Sequence, residues 1–157
     1  MGYSKVNECV IATDLYYAVE DNTWVRVNDD GTVTIGMTDI AQSLAGPILH
    51  AKAKPVGKVR KKGRPIATVE SGKWVGPIKT PVSGEIVEIN ADLAADVQLL
   101  NKSPYTKGWV VKMKPSDLEA EITAMVTGDD AVEKYKEKIE RDGIQACTHI
   151  EGTDEYE

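Results

Sequence analysis

Between Pro55 and Val111 the chain is interrupted at short intervals by turn-forming residues: Pro55-Val56-Gly57, Gly63-Arg64-Pro65, Gly72, Gly76-Pro77, Val82-Ser83-Gly84, Ser103-Pro104 and Gly108. No long helix fits between such breaks. What remains is a set of short strands, clearest at Ile66-Ala67-Thr68-Val69, Ile86-Val87-Glu88-Ile89 and Trp109-Val110-Val111-Lys112-Met113, where β-branched and aromatic side chains gather. Upstream, Trp24 to Val27 and Thr32 to Ile35 alternate in period two around Asn28-Asp29-Asp30-Gly31, a β-hairpin with an Asp-Gly turn. Leu49, Ala51 and Ala53 alternate with His50, Lys52 and Lys54, which predicts a strand with one basic face. Val56-Gly57-Lys58-Val59 and Ser83-Gly84-Glu85-Ile86 faintly echo one another.

Helical signals are confined to two places. Asp39 lies three residues before Gln42, a capping-box spacing, and Gly46-Pro47 stops the segment, so Asp39 to Ala45 reads as a short helix. After Pro115 the pattern changes. Ser116 with Glu119, and Asp130 with Glu133, have the spacing of two further capping boxes, the first opening a helix from Asp117 to about Met125. In the second helix Val132, Tyr135 and Ile139 form an apolar stripe, Lys136–Glu140 and Glu137–Arg141 are i,i+4 pairs, and Gly143 suits the position after the last turn. The last seven residues carry four acids and are expected to be disordered unless a partner orders them.

These signals give four regions: an N-terminal segment (1–15), a β-domain (16–114), a C-terminal helical extension (115–143) and an acidic tail (144–157). The length of 157 residues and a hydrophobic fraction of 41% fit one core. No apolar run is long enough to span a membrane, and the start lacks the apolar stretch of a signal peptide, so an intracellular, cytoplasmic protein is expected. The net charge of −6 argues against nucleic-acid binding. It also hides an asymmetry. Residues 40–69 hold seven bases and no acid, whereas residues 115–157 hold 13 acids and 4 bases.

Catalytic templates are missing: there is no Gly-rich nucleotide loop, P-loop, His-Glu-x-x-His pair or calcium loop, and two cysteines with two histidines make a poor zinc set. A chain without machinery of its own can act through a group attached to it. Lys73 is the candidate attachment point, because Val69-Glu70-Ser71-Gly72-Lys73-Trp74 follows a strand and Gly72 permits a turn that exposes the amine. An ordinary solvated turn lysine would show the same local sequence.

Five segments sharpen the reading: Thr34 to Gln42, Pro55-Val56-Gly57, Val69 to Lys73, Pro81 to Asn90, and Leu100 to Trp109. In order and spacing they resemble the lipoyl carrier called the glycine cleavage system H protein, from about Tyr16 to about Ser116. The resemblance implies a mainly β barrel-sandwich hybrid of lipoyl-domain type with C-terminal α-helices, a non-catalytic carrier and a monomeric state. The family motif Glu-Ser-Val-Lys-Ala falls on Glu70, Ser71, Gly72, Lys73 and Trp74, which makes Lys73 the lipoyl lysine and its four neighbours the cofactor-binding surround. The implied partners are a lipoate ligase or lipoyl-assembly enzymes, the glycine cleavage enzymes and dihydrolipoyl dehydrogenase.

Departures from the family pattern point elsewhere. The family's His-Glu-Trp falls on Asn22, Thr23 and Trp24, so the glutamate that helps shelter an aminomethyl-loaded arm is missing. The residue after Thr38-Asp39 is Ile40, and the usually acidic loop carries Lys58, Arg60, Lys61, Lys62 and Arg64. A carboxylate-poor site beside a basic loop suits anionic cargo or an acidic partner. The chain therefore resembles most the lipoate-binding proteins of the sulfur-oxidising heterodisulfide-reductase-like pathway, which implies an arm carrying sulfur intermediates to that complex, with the basic loop docking beside it. A solvated charged strand face explains the loop equally well. Cys9 and Cys147 lie outside the matched region and are expected as reduced, inert thiols, or as thiols able to bond the reduced arm. Trp24 and Trp109 are expected in the core. Trp74 is expected against the arm or a partner.

Overall fold

The computed structural model describes residues 2–153, 155 and 156. In chain order it contains β1 (Tyr3–Val6), β2 (Cys9–Ala12), β3 (Tyr16–Ala18), a 3₁₀ turn (Val19–Asp21), β4 (Thr23–Val27), β5 (Val33–Met37) and α1 (Asp39–Ala45). There follow β6 (Ile48–Ala53), β7 (Val59–Arg60), β8 (Pro65–Ser71), β9 (Val75–Lys79), β10 (Gly84–Ile89), α2 (Asp92–Ala95) and α3 (Leu99–Lys102). The chain ends with β11 (Val111–Pro115), α4 (Leu118–Ile122), β12 (Val126–Thr127) and α5 (Gly128–Asp142).

The predicted hairpin is β4–β5, closed by Asn28 N–H donating to the Thr32 carbonyl, with Gly31 in the left-handed region. Trp24 pairs with Gly36 across it, and a Cβ on Gly36 would meet the indole ring at 2.5 Å. Only glycine admits the ring there. Buried Trp24 donates from Nε1 to the carbonyls of Met37 and Pro104. This hairpin anchors a seven-stranded sheet, β12-β3-β4-β5-β11-β10-β7, which faces the three-stranded sheet β6-β8-β9. Val33, Ile35, Ile86 and Met113 from one sheet meet Ile66, Val69 and Ile78 from the other in the first core. The mainly β barrel-sandwich with C-terminal helices is thus the observed fold. The two echoing segments are neighbours, with Gly84 opposite Arg60 and Glu85 opposite Val59.

A second core lies under β1–β2, where Val10, Ile11, Trp24, Ile40, Tyr105, Tyr135 and Ile139 come together. The N-terminal segment is therefore a packed hairpin, with all four residues of β2 buried.

Several local expectations are corrected. The cap of α1 is Thr38, whose hydroxyl accepts from Ala41 N–H, while Asp39 is buried and serves other donors. A register shift between Ile48 and His50 turns Leu49 outward, so β6 does not alternate as its sequence does. The helix after Pro115 runs only over Leu118–Ile122, without a side-chain cap, and gives way to β12, whose Val126 pairs with Tyr17. Helix α5 begins two residues before Asp130, because Thr127 takes the cap position and sends its hydroxyl to the Leu15 carbonyl. It ends at left-handed Gly143, as expected. Its ion pairs are Lys134–Glu137 and Glu133–Lys136, and Arg141 turns to Glu20 and Asp142. Trp109 is half-buried against the second core, with Lys112 Nζ 5.2 Å from its ring centroid.

The largest corrections concern the termini. Cys9 and Cys147 are joined to each other, a disulfide across 138 positions of sequence, so neither is a free thiol. In the chain-entropy account a link of that span stabilises by about 5 kcal/mol. The described part of the acidic tail is docked rather than loose. The Glu155 carboxylate accepts from Ser103 Oγ, Tyr105 N–H and Thr106 Oγ1, and the Tyr156 ring packs against Tyr3, Tyr105 and His149. Asp154 and Glu157, two of the four tail acids, lie outside the described residues.

Candidate functional site

Lys73 is the middle of the three residues, 72–74, that join β8 to β9, a turn closed by Ser71 N–H donating to the Trp74 carbonyl at 2.8 Å. Ser71 is buried and holds the turn twice. Its hydroxyl donates to the Ala45 carbonyl at the end of α1, 2.5 Å away, and accepts from Lys73 N–H at 3.3 Å. Gly72 is not in the left-handed region, and a Cβ there would meet nothing within 4 Å. The turn forms without glycine's special freedom, contrary to the sequence reading. The left-handed residue that matters is Gly46, after α1, where a Cβ would come 3.2 Å from Lys73 Cε. The lysine stem runs past the end of α1 through space that a side chain at this position would crowd.

Beside this turn opens a cleft of about 180 Å³. Ala41, Leu44 and Ala45 of α1 form one wall, Trp74, Pro77 and Ile78 the other, Met37 and Val69 lie between, and Asp21, Asn22 and Thr23 form the polar end. A cavity of about 150 Å³ holds a benzene-sized group, so a five-membered dithiolane fits this one. The Trp74 ring lies over Gly76, where an added Cβ would meet it at 2.2 Å, and it remains 42% exposed. Glu70 is exposed on β8, opposite His50 and Val75. Leu44, Leu49, Trp74 and Val75 are exposed apolar side chains on the elements that meet at the turn.

The basic residues are elsewhere. Gly63 N–H donates to Thr80, and Pro65 pairs with Lys79, so Lys61, Lys62 and Arg64 lie at the foot of the hairpin whose tip carries Lys73. Lys58 and Arg60 lie beside β10. Six strand steps of ~3.4 Å put the tip about 20 Å from the foot. The basic loop thus does not adjoin the lysine; adjacency in sequence was lost along the length of β8.

One residue of the site escaped the sequence reading. Lys138 is 6% exposed and donates from Nζ to the carbonyls of Val19 and Glu20 and to Asn22 Oδ1 at 2.7, 3.2 and 3.1 Å. Burial pulls its pKa below the usual lysine value. It fastens the polar end of the cleft to α5. Its signal was a lysine falling among Ala131, Tyr135 and Ile139 on the apolar face.

The model of the glycine cleavage H-protein family matches residues 15–138. The chain belongs to that family. It is 50% identical over 143 residues to a glycine cleavage system H protein 2 of Aquifex aeolicus, with 89% of each chain covered. It is 43% identical over 135 residues to a probable glycine cleavage system H protein 2 of Saccharolobus solfataricus, covering 85% of this chain and 90% of that one. Among solved structures it is similar to a glycine cleavage system H protein from Mycobacterium marinum, with a TM-score of 0.67 and 26% identity, over 80% of this chain and 98% of the other. H-family proteins are non-catalytic lipoyl carriers, and their cofactor is a lipoyl-lysine. Such a group supplies a cyclic disulfide at the end of a flexible arm, which opens and recloses by thiol–disulfide exchange. Cys9, Cys147 and the tail lie outside residues 15–138, which the family model matches.

Proposed function

We propose that Lys73 bears the lipoyl group and that the chain serves as a glycine-cleavage H protein, carrying an aminomethyl group between a glycine decarboxylase and an aminomethyltransferase in the cytoplasm. The observation that carries the attachment is geometric: the lysine stands at a tight turn, held from beneath by Ser71, beside a cleft of the right size. Its partners on this reading include a lipoyl-attaching enzyme and dihydrolipoyl dehydrogenase. The names of the relatives support the glycine assignment. Intact mass after co-expression with a lipoate ligase tests attachment. One lipoyl increment is expected and its loss in Lys73→Arg; an increment kept in that variant moves the site elsewhere.

A second reading is favoured by one feature of the cleft. Thr23 stands where the family has its sheltering glutamate, and its buried hydroxyl has no hydrogen-bond partner among the described residues. Among the described residues the cleft keeps a carboxylate only at Asp21, and Lys138 holds a buried ammonium behind Asn22. That balance suits a cargo other than an ammonium-bearing one, such as sulfur intermediates passed to a heterodisulfide-reductase-like complex. Offering the lipoylated protein to a glycine decarboxylase separates the two: efficient loading supports the glycine reading, and no loading with an active decarboxylase supports sulfur cargo. The basic residues Lys58, Arg60, Lys61, Lys62 and Arg64 are proposed as a docking surface for an acidic partner, remote from the lysine. Reversing Lys58, Arg60, Lys61 and Lys62 without change in partner turnover would retire it.

A further inference from the structure

We propose that the Cys9–Cys147 disulfide is a redox latch that sets how firmly α1 holds the turn carrying Lys73. The two cysteines lie outside the residues that the family model matches, and the residues after Cys147 converge on α1. Cys147 N–H donates to the Asn7 carbonyl, while the two residues after it grip the helix. Thr148 N–H donates to Ser43 Oγ, Gln42 Nε2 donates to the Thr148 carbonyl, and His149 Nε2 lies 2.9 Å from both oxygens of Asp39.

From Gln42 a buried chain of hydrogen bonds continues to the turn. Asn101 Nδ2 donates both to Gln42 Oε1 and to the Gly46 carbonyl, and its Oδ1 accepts from Ile48 N–H. Ala45 then receives the Ser71 hydroxyl, and Gly46 lies against the Lys73 stem. Gln42, Asn101 and Ser71 are at most 5% exposed, so none of these bonds is replaced by water without movement. Networks of this kind carry coupling when an element within them has two states. The segment after α5 is that element, because among its described residues there is no helix or strand, and without the covalent link its ordering entropy opposes docking.

The chemistry balances with a dithiol as reductant. A thiolate of the dithiol attacks Cys147, the more exposed partner at 6% against 0% for Cys9, and a mixed disulfide forms as Cys9 leaves as a thiolate. The second thiol of the reductant closes its own disulfide and releases Cys147. Two electrons pass to the protein, and the two protons given up by the dithiol end on Cys9 and Cys147. A dihydrolipoyl group on another carrier is a reductant of this class, and dithiothreitol is the laboratory probe.

The test compares amide hydrogen exchange in the full chain, unmodified at Lys73, when oxidised, when reduced by dithiothreitol, and in the Cys9→Ser/Cys147→Ser variant. These readouts stand whether or not Lys73 is acylated, so the lipoyl reading is judged separately by mass. In the reduced and doubly substituted forms, exchange is expected to rise at least tenfold at 147–153 and several-fold at 42–46 and 71–74, with β5 and β11 remaining the slowest to exchange. Reoxidation restores the slow rates in the reduced wild type. Loosening at 147–153 with no change at 71–74 would reduce the disulfide to a local staple. Exchange in β5 and β11 as fast as at 71–74 would make it a global one, and free alkylation of both thiols before reduction would remove the latch; each result overturns the proposal.

Discussion

The two ends of α1 are held in opposite ways. At its start Asp39 is fully buried and accepts from Val10 N–H, Gln42 Nε2 and His149 Nε2, while Asp39 N–H itself donates to the Tyr105 hydroxyl. Burial raises the Tyr105 pKa, and that phenol stays protonated to donate to the Val10 carbonyl. At its end one serine hydroxyl and one glycine meet the Lys73 turn, and Leu44 and Trp74 remain exposed beside it. The helix is a lever fixed at one end and lightly loaded at the other. A carrier benefits from that division if its arm is attached at Lys73 as proposed, because an attachment point has to be reached by partners while its cleft keeps a fixed shape.

The comparison is broken most severely at the fixed end. Replacing both cysteines by serine is expected to cost about 4 kcal/mol, within the 2–5 kcal/mol usual for a native link, and to lower Tm by roughly 10 °C in a chain of this size. Next comes Asp39→Ala, which strips a saturated buried carboxylate from three donors and is expected to cost about 3 kcal/mol. Thermal melts of the oxidised proteins check both. If Asp39→Ala melts within 2 °C of wild type, the start of α1 is not the anchor of the helix.

A smaller effect sharpens the same end through pH. Burial raises the Glu155 pKa, and the hydrogen bonds from Thr106, Tyr105 and Ser103 only partly oppose it. A carboxyl raised in the folded state contributes stability that is complete below its ordinary pKa and is lost as pH rises through the folded value. Docking of the tail should therefore tighten as pH falls from neutrality into the carboxylate range, and Glu155→Gln should flatten the trend. Hydrogen exchange at 150–153 reads this directly; tightening with rising pH would contradict it.

How much of this was legible in the sequence depends on how local the cause is. The β4–β5 hairpin and the Lys73 turn were legible, since their strand alternation and turn residues lie within a few positions. The Asp39 capping box was misread because the same carboxylate had partners at Val10 and His149, far away in sequence, and Thr38 was free to cap. Nothing at Cys9 announces Cys147, which only the packing of β2 against the segment after α5 brings within reach. The basic loop shows the reverse error: Arg64 and Lys73 are close in sequence, and an extended strand carries them to opposite ends of one hairpin. Lys138 hid because two of its three partners are backbone carbonyls, which no side-chain pattern reveals.

At the lightly held end the expected effects are small, which makes them a fine test of the contrast. Gly72 has no positive φ and open space around its Cα. Gly72→Ala therefore removes freedom from the unfolded chain without adding a clash, and should stabilise the protein by about 0.5 kcal/mol. The family motif, with valine at this position, is compatible with the same geometry. Lipoylation of Lys73 by a co-expressed ligase, followed by intact mass, should proceed within about twofold of wild type, a difference of less than ~0.5 kcal/mol at the barrier. A destabilised Gly72→Ala would mean that the turn needs glycine in its working conformation. The lysine end would then be conformationally demanding, and the division of labour along α1 would be less sharp than its hydrogen bonds imply.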